Sequence, residues 1–316
     1  MLNRLPVISL PPHIHTRRTV GGAMWRVVVA LIPALLCGLW AFGLGAAAVT
    51  AVAVVSCVCF EYAIERWMLG RRPDIANGAA VLTGLLLAFN LPSCLPLWMV
   101  VVGSLVAIGV GKMSFGGLGC NIFNPALVGR VFLLISFPAA MTVWPLPIES
   151  RYRWLDAVTG ATPLTLAKEG GGVPLDYARE MIGLTGGSLG EISAAAILLG
   201  LLYLLATRVI TWHIPLSIIL SVALFSLCVG ADPLFQLLSG GLLLGAVFMA
   251  TDYVTSPMTP GGMIVYGVMI GIITVIIRLW GSYPEGMSFA ILIMNGVTPL
   301  INRYMKPKRF GERRLA

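Results

Sequence analysis

Apolar runs of about 17–22 residues recur along this chain with short polar connections between them, the length one helix needs to cross a bilayer. A bilayer core offers no water to unpaired backbone groups, so such runs must be helices or the strands of a closed barrel. The alternation of apolar and polar residues that marks a barrel strand is missing from them. Charged residues make up 11% of the chain and hydrophobic ones 58%. Soluble domains carry about 25% charged residues, so a single aqueous core is implausible at this length. The expected fold is an all-α polytopic membrane protein of about ten transmembrane segments.

One long polar stretch divides the runs. Residues 1–137 form an N-terminal membrane half, with segments near 24–43, 46–64, 77–91 and 96–111 and a fifth ending near 137. Residues 138–190 form a loop. Residues 191–302 form a C-terminal membrane half, with segments near 191–207, 213–229, 233–251, 263–281 and 287–302, and residues 303–316 are a basic tail. Five segments per half place the second half upside down relative to the first. Asn124-Pro125 with Arg130 finds an echo in Asn295, Pro299 and Arg303. An inverted five-plus-five repeat with broken helices is expected.

The net charge of +8 sits in short loops and at both ends, which orients a membrane protein and does not describe a nucleic-acid surface. With the N-terminus in the cytoplasm, that side receives Arg66, Arg71, Arg72, Lys112, Arg208 and the basic tail. The other side receives Pro92–Cys94, the 138–190 loop, Ala231–Pro233 and Trp280–Glu285. Both termini are therefore expected inside and the long loop outside. The first run follows a polar arm with Arg4, Arg17 and Arg18, so no cleaved signal is expected. The six cysteines lie in or beside apolar runs and are expected to act as small hydrophobes.

Two breaks interrupt the membrane runs, Gly116–Pro125 and Asp252–Gly262. Broken helices are tolerated where protein or a water-filled cavity satisfies the freed groups. Asn121, Asn124, Asp252, Thr255, Ser256, Thr259 and Asn295 supply oxygens near those ends. They are either caps and turns or the lining of an ion path or cofactor pocket. Asp252, a carboxylate at membrane depth, is the sharpest of them. Arg130 lies well inside the fifth run and needs an anion, a neighbouring helix or a carbonyl, and Arg278 is expected to reach the outer interface with its long side chain.

The loop holds Asp156-Ala157-Val158-Thr159-Gly160-Ala161-Thr162-Pro163. Small residues precede Thr162, and Pro163 biases it to an extended conformation, so the hydroxyl is expected to be presented and accessible. Covalent chemistry on a threonine requires outside activation. No Ser/His/Asp set, HExxH, P-loop or Rossmann glycine pattern accompanies it, so no complete catalytic site is expected in this chain alone.

Asp156 to Thr162 resembles the flavinylation motif D-x-x-S/T-G-A-T, in which a flavin transferase attaches FMN through its phosphate to the last threonine. Phe123-Asn124-Pro125-Ala126, Ala250–Pro257 and Met294–Ile301 are similar to the RnfD family, related to NqrB. The resemblance spans nearly the whole chain. It implies the D subunit of an ion-translocating complex that couples ferredoxin:NAD electron transfer to Na⁺ or H⁺ movement in a bacterial or archaeal cytoplasmic membrane. It implies covalent FMN on Thr162, with Asp156, Thr159, Gly160 and Ala161 read by the transferase; a flavin phosphate is then one anion that Arg130 can take, beside the helix or carbonyl partners open to it. It also implies noncovalent riboflavin in some members, an FMN-bearing G subunit as partner, and a urea-channel-like repeat. Tyr253 stands where relatives often have proline, and the absence of a long N-terminal extension favours RnfD over NqrB. A solute channel of the same architecture, without a redox role, is the competing expectation.

Overall fold

The computed structural model describes residues 19–149, 151, 154, 158–168, 177, 181, 183, 186–281, 283 and 285–306. Among them it is a bundle of thirteen helices with one two-residue β ladder. α1 (Val20–Phe42) starts where the Thr19 hydroxyl accepts the Gly22 N–H. It turns at Gly43 directly into α2 (Leu44–Ala63), which a wider turn, Ile64–Met68, prolongs. Gly43 has φ +58°, and a Cβ there would lie 2.3 Å from the Arg151 carbonyl. Only glycine permits this reversal with the long loop lying across it.

α3 (Ala79–Phe89) is short, α4 (Leu97–Leu105) continues through Val106–Val110, and α5 (Pro125–Ser136) begins beyond the first break. The loop carries α6 (Pro138–Met141), β1 (Trp144–Pro145), β2 (Thr159–Gly160) and α7 (Pro163–Lys168). The second half comprises α8 (Ala194–Ala206), α9 (His213–Val229), α10 (Pro233–Leu238), α11 (Leu242–Leu244) extended by Gly245–Met249, α12 (Pro260–Trp280) and α13 (Met287–Tyr304). Residues 20–42, 44–68, 97–115 and 260–280 are each long and apolar enough to cross a membrane, and α3, α5, α8 and α9 are shorter apolar helices. The eighth expected segment is thus broken, at Ser239–Gly241.

Within each half α2 packs on α3 and α4, and α9 on α10 and α12; across the halves α1 packs on α8 and α5 on α13. Lipid tails give no hydrophobic drive between helices, so close approach of small residues supplies the contact. A Cβ on Gly267 or Gly271 of α12 would fall 1.8 or 1.9 Å from the hydroxyls of Ser217 and Ser221 on α9. Gly200 on α8 meets the Ala30 carbonyl of α1 in the same way, at 2.6 Å.

The outward faces carry Leu199, Leu202, Leu220, Leu224 and Leu227, all exposed. Exposed tryptophans mark both ends: Trp25, Trp67 and Trp212 at one, Trp40, Trp98 and Trp280 at the other. Trp25 and Trp40 on α1 are separated by about 22 Å of helix rise, toward the two ends where interfacial tryptophans gather.

Candidate functional site

The expected site residues fall into two groups at opposite ends of the bundle. At the loop end, β1 pairs antiparallel with β2, Trp144 opposite Gly160 and Pro145 opposite Thr159. A Cβ on Gly160 would lie 2.9 Å from the Leu146 side chain, so the ladder closes tightly there. Asp156 and Ala157 lie outside the described residues. Ala161 is exposed, but Thr162 is buried, 7% exposed.

Thr162 caps α7. Its hydroxyl accepts the Thr165 N–H at 3.3 Å and lies 3.2 Å from the Thr165 hydroxyl, which donates to the Thr162 carbonyl at 2.7 Å. Pro163 occupies the first helical position, where its missing N–H costs nothing. The expectation of a presented, accessible hydroxyl is therefore corrected. The Thr-Pro step instead serves a helix start, with the threonine side chain turned into the protein. Lys168 at the far end of α7 donates to the carbonyls of Gly281 and, at 3.3 Å, Tyr283, fastening the helix to the α12–α13 connection.

Thr162 lines a small polar cavity of about 30 Å³ together with Glu191, Ser239, Gly240 and Glu285. Beside it a cavity of about 110 Å³ is walled by Leu134, Met141, Trp144 and Tyr283, with Arg130, Thr165 and Glu285 at its edge. Arg130 is 4% exposed and donates at 2.7 Å to both Asn90 Oδ1, at the end of α3, and Ser288 Oγ, on α13. Its other terminal nitrogen pairs with Glu285, and Glu191 lies 3.9 Å away.

Arg278 is also buried. It donates to the Gln236 carbonyl at 2.6 Å, the Gln236 amide oxygen at 3.1 Å and the Ser239 carbonyl at 2.8 Å. Its expected reach to the interface is corrected: the break after α10 frees carbonyls that need a donor, and the arginine turns inward to supply it. Sequence reasoning passes over Glu191 and Glu285; isolated acids beside apolar runs are the only signal they give.

At the opposite end the two breaks meet. Asn121 donates to the Phe123 carbonyl at 3.1 Å and to Asp252 at 3.4 Å, and Thr255 donates to the same carboxylate oxygen at 3.3 Å. Asn124 caps α5 through the Ala126 N–H and donates to the Met249 carbonyl at 3.2 Å. Asn295 lies 2.6 Å from the Tyr266 hydroxyl, with its amide oxygen accepting the Asn124 N–H at 3.1 Å. Thr298 donates to the Thr255 carbonyl at 2.9 Å.

Asn121, Asn124, Asp252 and Lys112 line one crevice there. It adjoins a wider one of about 470 Å³ bordered by Thr19, Arg26, Arg208 and Tyr253. Thr259 caps α12 through the Gly262 N–H, the cap reading of the two expected for it. Lys112, expected as a loop charge, is buried and paired with Glu61 of α2 at 2.6 Å. A lone glutamate inside the second apolar run is the sequence sign of that pair. Among the described residues no cluster of three or more His, Cys, Asp or Glu is placed to hold a metal ion.

Comparison with known proteins gives a consistent result. Residues 7–311 match the model of the NQR2, RnfD, RnfE family. The chain is 47% identical over 311 residues to the D subunit of the Na⁺-translocating ferredoxin:NAD⁺ oxidoreductase complex of Acetobacterium woodii, covering 96% of this chain and 95% of that protein. It is 42% identical over 323 residues to the proton-translocating counterpart of Clostridium ljungdahlii, covering 97% and 96%. It is 41% identical over 331 residues to the D subunit of an ion-translocating oxidoreductase complex of Stutzerimonas stutzeri, covering 93% of each.

Proposed function

The chain belongs to the NQR2, RnfD, RnfE family, and on that premise we propose that it is the D subunit of an Rnf-type complex, carrying FMN as a phosphoester on Thr162. Ferredoxin:NAD electron transfer coupled to movement of Na⁺ or H⁺ is the activity we assign to that complex. The two relatives named for those ions resemble the chain to similar degrees, 47% and 42%, so the ion is left as either.

The observation that carries the flavin reading is the position of Thr162. The last residue of a D-x-x-T-G-A-T stretch lines a cavity that opens beside an apolar, aromatic one with a buried arginine at its edge. Trp144, Tyr283, Leu134 and Met141 suit an isoalloxazine ring, and Arg130 suits a phosphodiester, for which a guanidinium offers paired donors. When bound, the flavin supplies reversible electron transfer, and the protein holds its distance and tunes its potential. Esterification replaces only the hydrogen of Thr162 Oγ1. The oxygen still accepts the Thr165 N–H, so the cap of α7 survives attachment. Because Thr162 is buried, the 138–190 loop must lift for a flavin transferase to reach it.

The crevice lined by Asn121, Asn124 and Asp252 is the second region we assign to function, as an ion path or a pocket for noncovalent riboflavin, with Thr255 and Asn295 behind it. We place both termini in the cytoplasm and the Thr162 loop outside. Arg66, Arg71, Arg72, Arg208 and Arg303 gather at the end opposite the loop, which supports that sidedness. The matching packing of α2 on α4 and α9 on α12, with α1 on α8 and α5 on α13, supports an inverted five-plus-five repeat. The other Rnf subunits, the FMN-bearing G subunit foremost, are the partners.

The test is expression with a flavin transferase, denaturation, and inspection for a fluorescent band, followed by the mass of the tryptic peptide Trp154–Lys168. An FMN increment lost in Thr162→Val supports the reading. An unmodified peptide beside a transferase active on another substrate overturns it.

A further inference from the structure

The charges beneath Thr162 balance without any flavin, and that balance has a consequence. Arg130 and Arg278 are each 4% exposed; the carboxylates of Glu191 and Glu285 both stand against Arg130, while Arg278 donates to the carbonyls of Gln236 and Ser239. Two buried cations and two carboxylates make a neutral set. A phosphodiester on Thr162 adds one negative charge to a cavity that Glu191 and Glu285 already line. An uncompensated buried charge is costly, so one carboxylate must leave or the phosphate cannot settle.

The two carboxylates differ in how easily they can go. Glu191 is 5% exposed, and its Oε1, without a hydrogen-bond partner among the described residues, faces Gly241, where a Cβ would be only 2.4 Å away. Glu285 is 15% exposed and belongs to the short connection between α12 and α13. It also stands at the boundary of the two cavities, lining both, with Arg130 directly behind it.

From this we propose that Glu285 is a stand-in anion, which occupies Arg130 while Thr162 is unmodified and yields it to the flavin phosphodiester after attachment. The inference rests on the flavin reading above and adds a partner exchange to it. In the unmodified chain the Arg130–Glu285 pair closes the floor of the site. In the modified chain Arg130 would hold the phosphodiester, an anion that a guanidinium suits, and Glu285 would turn to the aqueous face. Asn90 and Ser288, each 2.7 Å from Arg130, hold the guanidinium in place for both partners. The exchange makes and breaks no covalent bond and keeps the buried set neutral throughout.

The test compares one sequence in two states, purified in full from hosts with and without the transferase, with occupancy read from the Trp154–Lys168 mass. Glu285→Gln should shorten the half-life at a fixed elevated temperature about tenfold or more in the flavin-free chain, and less than about twofold in the flavin-bearing one. Hydrogen exchange on the unmutated chain needs no variant: the 283–287 amides should exchange faster with FMN in place. Equal effects of Glu285→Gln in the two states, or equal exchange, overturn the replacement of Glu285 while leaving the flavin reading intact. A peptide that stays unmodified beside an active transferase overturns both.

Discussion

The two ends of this bundle solve the problem of buried polarity in opposite ways. At the Asn124 end two helix breaks face each other, and neutral groups around one carboxylate, Asp252, satisfy the freed backbone, with the self-contained Lys112–Glu61 pair beside them. At the Thr162 end Arg130 pairs with two glutamates beneath a loop, and a second buried arginine, Arg278, holds freed carbonyls beside them. The same helices build both. α5 is capped by Asn124 and carries Arg130, and α13 carries Ser288 and Asn295, about two turns apart on one face. An amide network tolerates a neutral guest or a desolvated cation, because it holds little net charge to be disturbed. A balanced ionic set answers to any charge brought into it, which is what a covalently attached anion does.

The contrast breaks most sharply at Thr162. Thr162→Val should abolish the FMN increment on Trp154–Lys168 completely and, with it, electron transfer through the protein. Asn121→Ala, at the other end, should leave that increment untouched. Loss of the increment in Asn121→Ala would mean that the two ends are one site.

Arg130 gives the next largest effect. Arg130→Met in the flavin-free chain leaves Glu285 and Glu191 buried without a full cation, a loss of about 3–5 kcal/mol. Arg130→Met combined with Glu285→Met removes the orphaned charge and should recover a large part of it. Unfolding of the purified protein in mild detergent by added denaturant measures both. Asn124→Ala removes a cap and a buried hydrogen bond but no charge, so about 1–3 kcal/mol is expected, with flavin occupancy unchanged. A cost for Asn124→Ala as large as that for Arg130→Met would erase the distinction between an amide end and an ionic end.

How much of the molecule is legible in its sequence follows from the same contrast. The helix breaks are legible because Gly, Pro and Asn cluster in them, and the polar residues at their ends, Asn121, Asn124, Asp252 and Thr255, come together there with Asn295 of α13 nearby. Most of the apolar runs are legible from hydropathy, eight of them, four long and four shorter, as apolar helices among the described residues. The charge set is not, because Arg130, Glu191, Arg278 and Glu285 are singletons spread over 156 positions with no spacing rule to join them. Arg278 looks interfacial in sequence because the break after α10 hides inside an apolar run, where Ser239-Gly240-Gly241 is its only mark. The burial of Thr162 is not legible: the proline after it bears on backbone shape and says nothing of which way the side chain packs.

The smallest effect concerns how the loop is fastened at the charged end. Tyr177 of the loop donates its hydroxyl to Asp232, in the connection between α9 and α10, while the other carboxylate oxygen caps α10 through the Leu234 N–H at 3.0 Å and the Phe235 N–H at 3.4 Å. The tyrosine hydroxyl first, and those N–H groups after it, hold the Asp232 carboxyl below its ordinary value. A carboxyl lowered in the folded state contributes stability that is complete above its ordinary value, about 3.9, and is lost as pH falls through the lowered one. The group is largely open to water, so the contribution is under about 1 kcal/mol after solvent screening. Proteolysis of the 138–190 loop should therefore be flat in the wild type from neutral pH down to about pH 4 and accelerate below it. Tyr177→Phe should raise the neutral-pH rate slightly and shrink the acid step. Asp232→Asn keeps a capping oxygen but has nothing to titrate, so it should remove the step. A step of full size in Asp232→Asn would assign it to another carboxylate and leave the loop held chiefly by Lys168 and the α12–α13 connection.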